Sequence, residues 1–87
     1  MGYYYVALIS RSQAFLLERR MKNEGIMCEL TYMPRDIIID LCNLGVRFHE
    51  SVLPMALTVI KRSGLPGCKV YKEVISPDSA RYLQLNM

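Results

Sequence analysis

Residues 3–25, YYYVALISRSQAFLLERRMKNEG, are the most informative stretch for the fold, because they join a strand pattern directly to a helix pattern. Residues 3–9 are uncharged and rich in aromatic and aliphatic side chains, which is typical of a central strand. Ser10 is followed three residues later by Gln13, the spacing of a capping box that begins a helix. Gly25 is the expected C-terminal stop. The apolar stripe of the helix consists of Ala14, Leu17 and Met21.

The rest of the chain repeats these two patterns. Residues 26–33 and residues 44–48 alternate apolar and polar side chains, which predicts two more strands. Ser51 is the expected cap of a second helix, which ends at residues 64–67 (GLPG). Residues 68–75 predict a fourth strand. The apolar stripe of the second helix consists of Leu53, Ala56, Leu57 and Ile60.

The predicted fold class is therefore α+β, a ferredoxin-like βαββαβ sandwich. Right-handed crossovers give a four-stranded antiparallel sheet in the order 4-1-3-2, with both helices on one face. Residues 1–75 form this single domain, and residues 76–87 are expected to form a C-terminal tail or a short helix. The expected core consists of Val6, Leu8, Ala14, Leu17, Met21, Leu30, Val46, Leu57, Ile60 and Val70.

The composition excludes several classes of protein. A net charge of +3 over 87 residues is too weak for a nucleic-acid footprint. No segment approaches the roughly 18 apolar residues of a membrane span, and no signal peptide pattern is present. The 3 cysteines contain no Cys-x-x-Cys pair, which argues against a disulfide framework or a zinc site. We expect a cytoplasmic protein without cofactor or metal, and without a nucleic-acid or membrane partner.

Cys42 is the candidate functional thiol. It closes the segment 33–43 between two predicted strands, and loops of that length are often functional. The topology places this loop at the end of the sheet where the first helix begins. A helix N-terminus favours negative charge, and Arg11 or Arg35 could add to that effect. These surroundings favour the thiolate, which is the reactive form of cysteine.

The other two thiols are predicted to differ in position. Cys68 lies at the same end as Cys42 and could act as a resolving thiol. Strand 1 separates strands 3 and 4, so the two thiols would be roughly 10 Å apart and free at rest. Cys28 lies at the opposite end, where a buried structural role is expected.

Several polar residues have simpler interpretations than chemistry. Arg35 and Arg47 can be solvated surface charges, and Glu18 can be a helix-edge carboxylate paired with a neighbour. His49 has no partner at catalytic spacing and is interpreted as the entry residue of the second helix. The aliphatic run at residues 37–39 can pack into the protein's own core.

Residues 33–37 (MPRDI) and 42–48 (CNLGVRF) resemble a sulfur/selenium carrier-like family of small bacterial domains. The similarity extends over about residues 3 to 75, and the chain departs from the family where Ile38, Ile39 and Asp40 replace serines. Asn43 also replaces the usual glycine. The positions that match the family pattern are Ala14, Glu18, Pro34, Arg35, Asp36, Ile37, Cys42 and Arg47.

The resemblance implies a carrier in which Cys42 accepts a sulfur or selenium atom and hands it on. Its partners would be a donor protein and an acceptor protein, and the chain would be a carrier rather than a complete enzyme. The evident lack of an acid–base pair agrees with that interpretation.

A non-catalytic interaction or dimerisation module is the alternative. The sheet face away from the helices is expected to show Arg47, Tyr3, Tyr5 and Tyr71. Such a face can stack RNA bases, but residues 44–48 lack the aromatic pattern of an RNP1 segment. A homodimer through this face or through the aliphatic loop is expected instead, because a single loop is not expected to bury all four of the large side chains Ile37, Ile38, Ile39 and Leu41. Nothing in the sequence points to a small-molecule sensor.

Overall fold

The computed structural model describes residues 2–37 and 43–86. These residues form two helices and a five-stranded antiparallel sheet in the order β2-β3-β1-β4-β5. The elements are β1 (Tyr3–Ala7), α1 (Arg11–Asn23), β2 (Glu29–Tyr32), β3 (Leu44–His49), α2 (Leu53–Ser63), β4 (Lys69–Ile75) and β5 (Ala80–Gln84). Two 3₁₀ helices, Arg35–Ile37 and Glu50–Val52, precede β3 and α2 respectively.

The α1 helix begins as its sequence predicts. The Ser10 side chain accepts a hydrogen bond from the Gln13 backbone N–H at 3.2 Å, which is the first half of a capping box. The Gln13 side-chain oxygen has no hydrogen-bond partner among the described residues, so the second half is missing. Glu18 pairs with Lys22 at 3.1 Å, one turn further along the helix, as expected of a helix-edge carboxylate. The predicted stripe of Ala14, Leu17 and Met21 is buried.

One hydrophobic core lies between the helices and one face of the sheet. Alternating strand residues, for example Val6 and Val46, pack there against the buried stripes of both helices. Leu30 and Leu57 are half-buried at its margin, whereas the other predicted core residues are buried. Val59 is a further α2 core residue that the predicted stripe omitted. The buried core residues are Tyr4, Val6, Leu8, Ala14, Leu17, Met21, Ile26, Val46, Phe48, Ala56, Val59, Ile60 and Val70.

A second, smaller cluster lies on the other face of the sheet. Met33, Ile37 and Tyr71 are buried there, and Tyr5 and Tyr82 pack against them. Ile37 therefore packs within its own domain. Ile38, Ile39 and Leu41 lie outside the described residues.

The prediction of four strands is wrong. The first four strands take the predicted order, but residues 80–84, assigned to a tail or short helix, form β5 beside β4. Ser76, Pro77 and Asp78 belong to the turn between them, in which Ser76 N–H donates to the Ser79 carbonyl at 2.8 Å. A helix start and a hairpin turn use the same Ser, Pro and Asp residues, which explains the misassignment.

Two smaller predictions also need correction. Strand β2 is Glu29–Tyr32, shorter than the predicted residues 26–33. Before the strand, the Ile26 N–H donates to the α1 carbonyl of Met21 at 2.9 Å, so Ile26 is still hydrogen-bonded to the end of the helix. Ser51 does not cap α2. It lies in the second 3₁₀ helix, where its N–H donates to His49 Nδ1 at 3.1 Å. His49 thus acts at the entry to this helical segment, close to its predicted place.

Candidate functional site

The candidate site lies at one end of the sheet. Ala7, the last residue of β1, pairs with Gly45 near the start of β3 and with Lys69 at the start of β4. Tyr32, the last residue of β2, pairs with Leu44. The first turn of α1 follows β1, so the beginnings of α1, β3 and β4 share this end as predicted. Cys42 lies outside the described residues, but Asn43, which follows it in sequence, is at this end.

A backbone hydrogen bond joins the two chain segments that leave this end of the sheet. The Met33 N–H donates to the Asn43 carbonyl at 2.6 Å, which extends the β2–β3 pairing by one step. Met33 is buried, and its side chain lies over Gly45, where a Cβ atom would be 2.5 Å from Met33 Cε. The chain is therefore tied to the sheet on both sides of the segment that contains Cys42, at Met33 and at Asn43.

The described charges at this end are mostly positive. Arg11 and Arg35 are both exposed, and the first turn of α1 contains no acidic residue. Neither arginine has an ion-pair partner within residues 2–37 and 43–86, where the carboxylate of Asp36 is also exposed. The ion pairs present in that part of the chain are Lys22–Glu18, Arg47–Glu29 and Arg62–Glu24.

Cys28 and Cys68 are both partly buried and pack against the core. Burial raises the pKa of the Cys68 thiol to about 11, so this group is protonated at neutral pH. Burial also raises the pKa of Cys28, whose Sγ lies 3.8 Å from the Glu18 carbonyl oxygen. Both thiols therefore resemble structural cysteines more than nucleophiles.

The predicted aromatic face is present, but it is not an open stacking surface. Tyr5 pairs with both Arg47 and Tyr71, which places these residues on one face of the sheet. The Arg47 guanidinium lies 3.6 Å from the centre of the Tyr3 ring and forms an ion pair with Glu29 at 2.6 Å. Tyr71 is buried in the second cluster. The Arg47 and Tyr71 side chains of this face are thus already in contact with other residues of the same chain.

A tyrosine network on the same face was missed because β5 was missed. The Tyr82 hydroxyl donates to Glu73 Oε2 at 3.0 Å, and its ring meets that of Tyr5 edge to face at 5.8 Å. Burial, followed by the Glu73 hydrogen bond, raises the pKa of Tyr82 to about 12. The network joins β5 to Glu73 of β4 and to Tyr5 of β1.

A groove of about 350 Å³ lies at the far end of the molecule, beside the start of β2. Tyr3, Cys28, Arg47 and His49 are among its lining residues. Within the described ranges, no group of three or more His, Cys, Asp or Glu side chains could hold a metal ion. Neither described helix is long and apolar enough to cross a bilayer.

Fold and sequence together define a small α+β domain that carries a cysteine between β2 and β3. A family model described as "Putative Se/S carrier protein-like" matches residues 3–72. The chain belongs to this family. Comparisons with curated proteins and with solved structures each give no match.

Proposed function

We propose that the protein is a sulfur or selenium carrier in which the Cys42 thiolate accepts a chalcogen atom and passes it to a partner protein. Family membership supports this role, because the family description itself refers to a Se/S carrier. The order of β1 to β4, with both helices on one core, supports a ferredoxin-like scaffold with an added fifth strand.

The transfer needs only thiol exchange. The Cys42 thiolate attacks the terminal sulfur of a persulfide on a donor protein, and the donor's S–S bond breaks as the new one forms. The donor thiolate leaves and takes up a proton, so no external oxidant is required. Attack by an acceptor thiolate on the same terminal sulfur returns Cys42 to the thiolate. A selenium atom would follow the same exchange.

The observation that supports the proposal is the contrast between the partly buried surroundings of Cys28 and Cys68 and the exposed positive charges at the end of the sheet where Asn43 lies. The described thiols, Cys28 and Cys68, have raised pKa values because they are partly buried. Asn43, next to Cys42 in sequence, lies at the end of the sheet where α1 begins and where Arg11 and Arg35 are exposed. Positive charge and a helix N-terminus favour a thiolate. Arg11 and Arg35 are therefore the candidate stabilising residues, and Cys68 is the less suitable nucleophile.

The test is alkylation and persulfide trapping on the wild type and on Cys42→Ser, Cys28→Ser and Cys68→Ser. We expect one thiol to react with iodoacetamide at pH 7 at least about ten times faster than the others, and only Cys42→Ser to remove it. Loading from a persulfide donor should disappear in the same variant. Equal reactivity of Cys42 and Cys28, together with sulfur loading that survives Cys42→Ser, would rule out the proposed carrier function.

In that event the alternative, a non-catalytic interaction or dimerisation module, becomes the proposed function. Exposed apolar side chains at several separate places favour that alternative, for example Phe15, Met27 and Ile75.

A further inference from the structure

The sheet has two edges of different character. At one edge, β2 is only four residues long, begins with the charged Glu29 and is followed by Pro34, which cannot extend a ladder. Short length, charge and proline are features that prevent edge strands from pairing with other chains. At the other edge, β5 has five residues, with no proline and with Arg81 as its one charged side chain.

The unpaired backbone groups of β5 can be assigned from its ladder. The Leu85 N–H donates to the Val70 carbonyl at 2.8 Å, so the backbone groups of Leu85 point toward β4. Hydrogen-bonding direction alternates along an antiparallel strand. The N–H and C=O groups of Ala80, Tyr82 and Gln84 therefore point away from the sheet. No strand of the described chain pairs with them, because β5 ends the sheet order.

We propose that β5 is a homodimer interface at which it pairs antiparallel with β5 of a second copy of this chain. A two-fold axis at Tyr82 places Tyr82 opposite Tyr82 of the second copy and Ala80 opposite Gln84. Every outward N–H and C=O group of the strand then has a backbone partner. The resulting sheet is continuous across both copies.

The side chains agree with this register. Arg81, the only charged residue of β5, then faces Leu83 of the second copy rather than another arginine. Like charges directly opposite each other would destabilise the pair. Leu83 is 54% exposed in the single chain, so pairing would shield an apolar side chain from water. Residues 80–84 lie beyond the family match at 3–72, so the proposed interface does not depend on the carrier function.

The sharpest test is a pair of substitutions at one position, with dissociation constants measured by sedimentation. Leu83→Lys places a cation opposite Arg81 of the second copy, whereas Leu83→Glu places an anion there. Both variants lose the same leucine, so their difference reports the register. We expect a wild-type dimer, and a dissociation constant for Leu83→Lys at least about fivefold higher than that for Leu83→Glu. The difference should shrink at about 0.5 M salt.

A matched control uses the other edge. Met27 is 83% exposed beside the start of β2, and Met27→Lys should leave the dimer unchanged. Lys72 lies opposite position 83 within the same chain. This contact is present in both the monomer and the dimer, so it should not change the dissociation constant. Thermal unfolding of each variant verifies that the monomer is folded.

Three results would overturn the proposal. One is a wild-type protein that is monomeric at about 100 µM. Another is a dimer with equal dissociation constants for Leu83→Lys and Leu83→Glu. The third is a monomer whose β5 edge instead binds an added β-strand peptide, which would assign the edge to a foreign segment.

Discussion

Gly45 is buried where the β1 backbone and the Met33 side chain meet. A Cβ atom there would press on the Val6 carbonyl oxygen, which is backbone and cannot move aside as a flexible side chain can. We therefore expect Gly45→Ala to lower the free energy of unfolding in urea by about 1–3 kcal/mol. Gly2→Ala is the control, because its nearest contact would be an ordinary 3.5 Å from Glu50 Oε2. Equal stability of the two variants would contradict this packing.

The raised pKa of Cys68 predicts a loss of stability in alkaline solution. The folded thiol holds its proton up to a pKa of about 11, whereas the unfolded thiol loses it near 9.0. Above that lower value the unfolded state binds fewer protons, so the contribution of Cys68 to stability falls as pH rises. We expect the stability difference between wild type and Cys68→Ala to be constant below pH 8 and to decrease between pH 9 and 11. Urea unfolding under reducing conditions measures it, and a difference independent of pH would show that the thiol is not protected.

The burial of a single residue was predictable where the periodicity of one helix or one strand determined it. Leu17 and Met21 follow from the helical repeat, and Val46 follows from strand alternation. The ion pair between Arg47 and Glu29 was not predicted, because it depends on the register between β2 and β3. Register is a property of two paired strands, and the sequence of one strand alone does not determine it.

Within α1, neighbouring leucines should differ sharply in their energetic weight. Leu17 has no exposed surface, whereas Leu16 is 39% exposed on the outer side of the helix. Leu17→Ala should cost about 2–5 kcal/mol because it leaves a cavity in the main core. Leu16→Ala, with the same change in helix propensity, should cost less than about 1 kcal/mol. Chemical denaturation of both variants checks the predicted orientation of the helix. A similar loss in both would contradict it.

The first 3₁₀ helix is held to the sheet by Ile37. This side chain is 4% exposed and packs with Met33 and Tyr71, whereas Ile75 at the end of β4 is 72% exposed. We expect Ile37→Ala to cost about 2–5 kcal/mol and Ile75→Ala to remain within about 0.5 kcal/mol of wild type. Hydrogen exchange of the Ile37 amide, which bonds to the Pro34 carbonyl at 3.1 Å, should also become faster in the first variant. No change in either measurement would mean that the second cluster does not hold this helix.

The elements differed in how well the sequence indicated them. The β1 and α1 elements have strong patterns, because each buries one regular stripe against the core. The β5 strand has no such stripe, since Tyr82 faces the tyrosine network while Leu83, on its other face, stays exposed. A half-exposed edge strand lacks the alternation that reveals a strand. The turn at Pro77 also matched a helix start. The weak alternation and the turn residues therefore both argued against a strand.

In the whole protein, the proposed carrier chemistry and the proposed self-association lie in different parts of the chain. The family match ends at residue 72, whereas the proposed interface lies at residues 80–84. Leu83→Lys should therefore be less dimeric but should alkylate at Cys42 within about twofold of the wild-type rate. Conversely, Cys42→Ser should keep the wild-type dissociation constant. Loss of thiol reactivity in the Leu83→Lys monomer would show that the two properties are coupled.

The arrangement of the elements around the candidate site was predictable, but the side-chain packing beside it was not. Topology placed the beginnings of α1, β3 and β4 together, and register confirms that arrangement. Ile37 is buried in a cluster against which Tyr82 also packs, and Tyr82 belongs to the strand that was missed. A long-range contact of that kind requires knowledge of every strand in the sheet.

The hydrogen bond between Met33 and Asn43 has a consequence for changes in the length of the segment between these two residues. Because it ties the chain to the sheet at Met33 and at Asn43, we expect a change in the number of residues between Ile37 and Asn43 to leave the β2–β3 pairing and the Ile37 contacts in place. Closure entropy grows with the logarithm of loop length, so even doubling the length costs only about 0.6 kcal/mol. Residues can thus be added or removed between Ile37 and Asn43 at a small cost in folding free energy, so the surroundings of the proposed carrier thiol can vary while the β2–β3 pairing stays intact.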